Sequence, residues 1–286
     1  MRLLVFGYGF SGRVLARRMA SQGWTVAATF RDAAGRDRIE ADGFEAIEAG
    51  DREALSRALA ETRAILVNAP PGPEGCPGLN ALVPAMAQAA AFPDWIGYLS
   101  TTGVYGDRRG RWVTEQSRLA AQSVEGARRV GAERDWLEVG RGMGLTVAIF
   151  RLPGIYGPGR SAIDNVRAGT ARRIIKANQI FNRIHVADIA TAVAASVRGH
   201  GSHSIYNVSD DEPCPPEDVV LFAANLLGVP PPPAIPFETA QLTPMARSFY
   251  GESKRVSNTR MRHDLGVQLA YPTYREGLQS LIASEK

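Results

Sequence analysis

The sequence is short of cysteine and of lysine: two cysteines, Cys76 and Cys214, and three lysines, Lys176, Lys254 and Lys286, in 286 residues. The cysteines lie among Pro and Gly with no spacing that would hold zinc or a disulfide framework, which excludes a stapled secreted scaffold and predicts a reducing compartment. No run of 18 apolar residues occurs, and the first apolar run, at 3–6, is too short for a signal-peptide core; a soluble, cytoplasmic protein with no membrane partner is expected. Neither a Gly-x-Ser-x-Gly elbow nor a Walker loop is present. With lysine scarce, the 33 basic residues are almost all arginine, and they exceed the 29 acidic ones by four. Arginine suits bidentate recognition of phosphate and carboxylate, although a coding preference leaves the same mark. The basic residues are scattered among acidic ones, so nucleic acid is not expected as a partner.

What the sequence does have is an alternation. Arg2–Phe6 is an apolar run that ends in Gly7-Tyr-Gly-Phe-Ser-Gly12; a helical stretch follows over 13–22, closed by Gly23, and then a second strand, Thr25–Phe30. The pattern returns with strands at 44–48, 64–68, 95–100 and 146–151 and with helices over 79–91 and 119–143. Short apolar runs separated by helical stretches read as parallel strands covered on both faces by crossover helices. The expected fold is α/β, a doubly wound parallel (Rossmann) sheet over 1–160. It is continued within 183–210 by a helix at 188–197 and a strand at 204–208. Prolines at 213, 215, 216 and 230–233 break regular structure, and 161–182 with 211–286 are assigned to a smaller C-terminal α+β lobe that receives the substrate.

Gly7, Gly9 and Gly12, with Phe10 between them, follow a strand and open a helix, where glycines permit a tight turn and close approach of a pyrophosphate. A chain with 29 glycines can also produce a merely structural turn of this form. In NAD-preferring versions a carboxylate ends the second strand and accepts from the adenosine ribose. Here Arg31 follows Phe30, so Arg31, with Thr29 and Arg13 close by, is expected to neutralise a 2′-phosphate, and NADP is favoured over NAD. The plain alternative makes Arg31 a solvated residue paired with Asp32. Asp51 is placed to accept from the adenine amino group, to cap the helix that begins near Glu53, or to do both. Asn68, Ala69, Pro70 and Pro153 complete the expected cofactor contacts. His200 and His203 sit in a loop with no third ligand, so no metal is expected. His185 reads as a structural hydrogen-bonding residue.

Four further stretches follow the glycine loop in a telling order: Leu99-Ser-Thr-Thr-Gly-Val-Tyr-Gly-Asp107, Phe150-Arg-Leu-Pro-Gly-Ile-Tyr-Gly-Pro-Gly159, Arg183-Ile-His-Val-Ala-Asp-Ile-Ala190 and Ile205-Tyr-Asn-Val-Ser-Asp210. Together they resemble the extended short-chain dehydrogenase/reductases, the NAD-dependent epimerase/dehydratase family, and 253–266 and 274–281 are similar to its tail. The resemblance implies that Thr101, four residues before Tyr105, hydrogen-bonds the reacting substrate oxygen. The family's dehydratases carry an Asp-Glu pair next; Thr102-Gly103 stands here, so their proton-transfer groups are missing. The family's main catalytic pair is a Tyr and a Lys one helical turn apart, facing the nicotinamide together.

The matching stretch, 123–133, puts Glu125 and Arg129 in those places. A carboxylic acid titrating near about 4.3, against about 10 for a phenol, is a far weaker base for an alcohol proton, and Arg129 can hold a ribose or phosphate but cannot relay a proton. The plain alternative is an i,i+4 surface ion pair. Tyr105 is the nearest other phenol. The resemblance also sets Pro153 to Tyr156 on the far side of the nicotinamide, with Tyr156, Arg160 and Arg183 toward the substrate, the two arginines meeting an anionic group. It implies a homodimer through helices 79–91 and 119–143; the first has an apolar stripe (Leu82, Val83, Met86, Ala87, Ala90) that suits a helix contact or simply packs on the sheet. Two functions are open on the sequence. One is an NADP-dependent oxidoreductase or epimerase with altered acid/base residues, acting on a polar small molecule such as a nucleotide sugar. The other is a dinucleotide-binding redox sensor or scaffold without hydride chemistry.

Overall fold

The computed structural model describes residues 1–283; residues 284–286, the end of the expected C-terminal lobe, lie outside the described residues. Seven parallel strands make the central sheet: β1 (Arg2–Phe6), β2 (Thr25–Phe30), β3 (Glu45–Glu48), β4 (Ala64–Val67), β5 (Trp95–Thr101), β6 (Thr146–Leu152) and β7 (Ile205–Asn207). Their spatial order is β7-β6-β5-β4-β1-β2-β3, so the winding reverses between β1 and β4 and opens a crevice at their carboxyl ends. Alternate side chains along each strand feed opposite layers. Leu3, Val5, Ala28, Leu66 and Phe150 pack with Leu15 and Met19 of α1 (Phe10–Ser21), with Ile39 of α2 (Ala33–Ala41) and with Ile189 and Val193 of the helix Val186–Val197. Leu4, Phe6, Ile65, Val67 and Ile149 form the other layer with α3 (Arg52–Leu59), α4 (Pro77–Ala89) and α5 (Val124–Met143). Leu82 and Met86 of α4 are fully buried there, while Ala87 and Ala90 are exposed. Much of the stripe read as a dimer face is thus spent on the sheet.

Helix α5 starts five residues later than the expected 119. Ser123 ends the preceding extended stretch and caps the helix, its Oγ accepting from the Gly126 N–H at 3.0 Å. The lobe also departs from expectation. Short parallel pairs join 154–156 to 183–185 and 173–175 to 234–236, and Tyr156, Ile163, Val219, Ala223, Tyr274 and Leu278 share an apolar cluster. Yet 211–283 is not confined to it. Met261, Leu265 and Val267 insert into the first layer of the main sheet, and Arg255–Val256 pairs with Trp112–Val113. The tail returns because its apolar residues fill the main core, a contact that local pattern does not reveal. Among the described residues no helix is long and apolar enough to cross a membrane.

Candidate active site

The glycine turn lies at the mouth of the crevice and is packed to the point where side chains do not fit. Gly7 has φ +95°, and a Cβ on it would lie 2.9 Å from the Ala69 nitrogen; at Gly12 it would meet the Gly7 oxygen and Val5 Cγ1, both at 3.0 Å. Asn68, just past β4, donates through Nδ2 to the Gly7 carbonyl at 3.0 Å, and a Cβ on Gly9 would meet the same nitrogen at 3.1 Å. Asn68 and Ala69 therefore support the turn from beneath, while Pro70 beside them is exposed. Thr29 does the same from β2: buried, it accepts from the Gly7 N–H at 2.9 Å and braces the loop. Gly9 heads α1 with no side-chain cap, which leaves first-turn amides, at the positive end of the helix dipole, available to an anion.

Arg31, directly after β2, is exposed and among the described residues takes no hydrogen bond or ion pair. The expected partner, Asp32, is spent as the cap of the next helix, accepting from the Gly35 N–H at 2.7 Å. Arg13 does not join Arg31. It grips Asp42 through Nε at 2.7 Å and Nη2 at 3.0 Å, Arg17 holds the same carboxylate, and the Tyr8 hydroxyl donates to it at 2.6 Å. Those bonds, Arg13's foremost, hold Asp42 well below the usual carboxylate range. Sequence reasoning missed Asp42, which ties the side chain inside the glycine turn to the scaffold. Asp51 caps α3, its Oδ1 accepting from the Ala54 N–H at 2.9 Å.

On the other side of the crevice, Thr101 ends β5 half-buried, its Oγ1 accepting from the Gly103 N–H at 3.1 Å. Tyr105 does not present a reacting phenol. It is fully buried, donates to Asn207 Oδ1 at 2.7 Å and accepts from Arg151 Nη1 at 2.9 Å, and burial pushes its pKa up. Nor do Glu125 and Arg129 form the surface ion pair. Glu125 is exposed on the first turn of α5, without an ion pair among the described residues. Arg129 turns inward, donating to the Leu99 carbonyl and lying over the Tyr98 ring. Beneath them runs a buried network that the sequence reading missed: Ser100 Oγ donates to Glu133, whose carboxylate takes Arg151 Nη2 at 2.7 Å. The available signal was an arginine inside the apolar strand 146–151, which demands a carboxylate partner.

Pro153 is half-buried past the end of β6. Tyr156 is buried in the lobe cluster, its hydroxyl donating to the Thr273 carbonyl at 3.4 Å, so it does not face an open pocket. Arg183 also points into the lobe, donating to Cys214 Sγ at 3.1 Å. Arg160 is separate from both: its guanidinium lies 5.6 Å over the Phe10 ring, beside the start of α1. Among the described residues no three His, Cys, Asp or Glu gather as metal ligands; His203 instead sits 2.9 Å from Asp264. Cys76 and Cys214 are free and buried.

A glycine cradle that a Cβ would fill, an uncapped helix start and a switch-point crevice fit a dinucleotide, and they define a doubly wound nucleotide-binding protein of the α/β class. Residues 3–209 match the family described as NAD dependent epimerase/dehydratase, and the chain belongs to that family. It is similar to a functionally unknown conserved protein from Silicibacter pomeroyi DSS, 46% identical, with TM-score 0.92 over 99% of this chain and 98% of that one. It is 27% identical to Protein YeeZ of Escherichia coli strain K12 over 95% of this chain and 96% of that protein. The fold is also that of a Thermus thermophilus UDP-glucose 4-epimerase solved in complex with NAD, with 21% identity, TM-score 0.78, and 99% and 98% of the chains covered.

Proposed function

We propose that this protein binds NADP and exchanges hydride with a polar small molecule, as an oxidoreductase or epimerase of its family. The observation that carries the reading is the glycine cradle together with β2 ending in Phe30, not a carboxylate, and Arg31 directly after it, exposed and without a hydrogen bond or ion pair among the described residues, while Asp32 is spent as a helix cap. Gly7, Gly9, Phe10 and Gly12 would hold the pyrophosphate side, Arg31 the 2′-phosphate, Asp51 the adenine edge, and Asn68 to Pro70 with Pro153 the nicotinamide half. The cofactor supplies the hydride acceptor or donor. Thr101 accepts one backbone bond, which leaves its hydroxyl proton to donate to a substrate oxygen. Glu125 is the exposed carboxylate in the phenol's place, and Arg129, anchored to the Leu99 carbonyl, keeps a positive charge near the end of β5. A carboxylate suits substrates that need only a weak base.

One observation favours a second reading, a dinucleotide sensor without turnover: Tyr98 and Tyr105 are both buried, with their hydroxyls hydrogen-bonded to arginines. Calorimetry with NADP and NAD, followed by nicotinamide absorbance across alcohols, ketones and nucleotide sugars, separates the two. NADP is expected to bind about tenfold more tightly than NAD, with the preference lost in Arg31→Ala, and turnover to fall in Thr101→Val. Tight binding with no turnover across the panel supports the sensor. No heat with either dinucleotide overturns both.

A further inference from the structure

We infer that Arg160 holds the pyrophosphate of the bound dinucleotide, from the wall opposite the glycine turn, and does not meet the substrate as the sequence leads one to expect. The inference rests on the dinucleotide reading above and adds a residue to it.

Arg160 is held in place by a closed turn. The Gly157 N–H donates to the Arg160 carbonyl at 3.1 Å and the Arg160 N–H to the Gly157 carbonyl at 3.0 Å. Pro158 stands second and Gly159 third with φ +72°, the residue types a type II turn requires. Immediately afterwards Ser161 caps the next helix, its Oγ accepting from the Asp164 N–H at 3.2 Å. The turn lies against the cofactor loop: a Cβ on Gly157 would come 3.3 Å from Phe10 Cζ and 3.5 Å from His185 Nε2. The same Cβ would come 2.6 Å from Val186 Cγ1, so the position admits no side chain without a shift of its neighbours.

Unpartnered donors lie close to Phe10. Phe10 is the first residue of α1, whose start has no side-chain cap. Arg160 lies over its ring, and its side chain takes no hydrogen bond or ion pair among the described residues. His185 is 4% exposed. Its Nδ1 accepts from the Ala187 N–H at 3.2 Å, which places the ring proton on Nε2, and that nitrogen is buried without a partner. Burial lowers the imidazole pKa to about 4, so the ring stays neutral and Nε2 remains a single donor. The guanidinium fork lies over the ring of the residue that opens α1, with no carboxylate bonded to it among the described residues, and the unpartnered imidazole N–H lies just beneath Gly157, packed against the Tyr156 and Tyr271 rings. A group with several anionic oxygens suits the uncapped amides and the guanidinium together, and the pyrophosphate is the part of a dinucleotide that a bare helix start receives.

Calorimetry on the full chain tests this with two ligands and two variants. ADP-ribose carries the pyrophosphate but neither nicotinamide nor 2′-phosphate; NADP carries all three. Arg160→Ala is expected to weaken both about ten- to hundredfold, with Arg160→Lys intermediate because it keeps the charge and loses the fork. Arg31→Ala is expected to weaken NADP and leave ADP-ribose unchanged. Because Arg160 is exposed, its variants should melt with the wild type in the absence of ligand. If Arg160→Ala binds ADP-ribose as the wild type does, the inference is overturned while the dinucleotide reading stands. If the wild type binds neither ligand, both fall together.

Discussion

The two banks of the crevice treat their polar groups in opposite ways. Beneath β5 and α5 a chain of charged and hydroxyl side chains is spent internally: Ser100 on Glu133, Glu133 on Arg151, Arg151 on Tyr105, and Tyr105 on Asn207. Around the glycine turn and the lobe above it, α1 begins uncapped, Arg31 and Arg160 carry no hydrogen-bonded partner, and His185 Nε2 and Asp210 Oδ2 are buried without one among the described residues. A satisfied network fixes shape, whereas an unsatisfied one is a cost that a ligand can relieve. The contrast separates what builds the site from what remains to bind with it.

Breaking the satisfied bank should have the largest effect. The side chains of Arg151 and Glu133 are 2% and 3% exposed, so removing either charge strands the other in the interior. Glu133→Gln or Arg151→Met is expected to cost about 3–5 kcal/mol in urea unfolding. The double change Glu133→Leu with Arg151→Met should recover a large part of that loss, because an apolar pair leaves no charge stranded. If the single variants unfold like the wild type, the network is ornamental and the contrast collapses.

The unsatisfied bank predicts an effect of pH. Burial pushes the Asp210 carboxyl up to about 8, against the partial relief of nearby Arg183. The folded protein therefore keeps this proton between about pH 4 and 8, while the unfolded chain, titrating near about 3.9, has released it. Protons bound only by the folded state stabilise it, so this stabilisation is fully present below about pH 4 and is lost as pH rises toward 8. Asp210→Asn should flatten that fall: relative to the wild type it gains more than about 1 kcal/mol between about pH 5 and pH 8. Parallel stability curves would show that Asp210 is not protonated in the fold.

The same contrast marks how far the sequence could be read. Strand positions were legible because runs such as 64–67 and 95–101 are apolar along nearly their whole length, as a strand buried on both faces requires. The glycine turn was legible because φ at Gly7 and contact at Gly12 admit nothing else. Pairings between residues far apart in sequence were not. Arg13 and Arg31 both lie near the expected 2′-phosphate, and only the fold shows that Asp42, from the turn after the second helix, takes one and leaves the other. Tyr105 looked free because its partners, Arg151 and Asn207, come from strands 46 and 102 residues away. The return of Met261 and Leu265 to the main core was hidden for the same reason.

The smallest effect tests the boundary between the banks, at the start of α5. Ser123 accepts from the Gly126 N–H and so occupies a donor that at α1 is left to a ligand. Ser123→Ala should cost about 1 kcal/mol of stability, the usual worth of such a cap. On the proposed reading it should leave NADP affinity unchanged, because the capped Gly126 amide is already taken by its own chain. Denaturant unfolding and calorimetry on the one variant read both quantities. A loss of affinity equal to the loss of stability would move the backbone of the first turn of α5 from the scaffold to the ligand-binding bank.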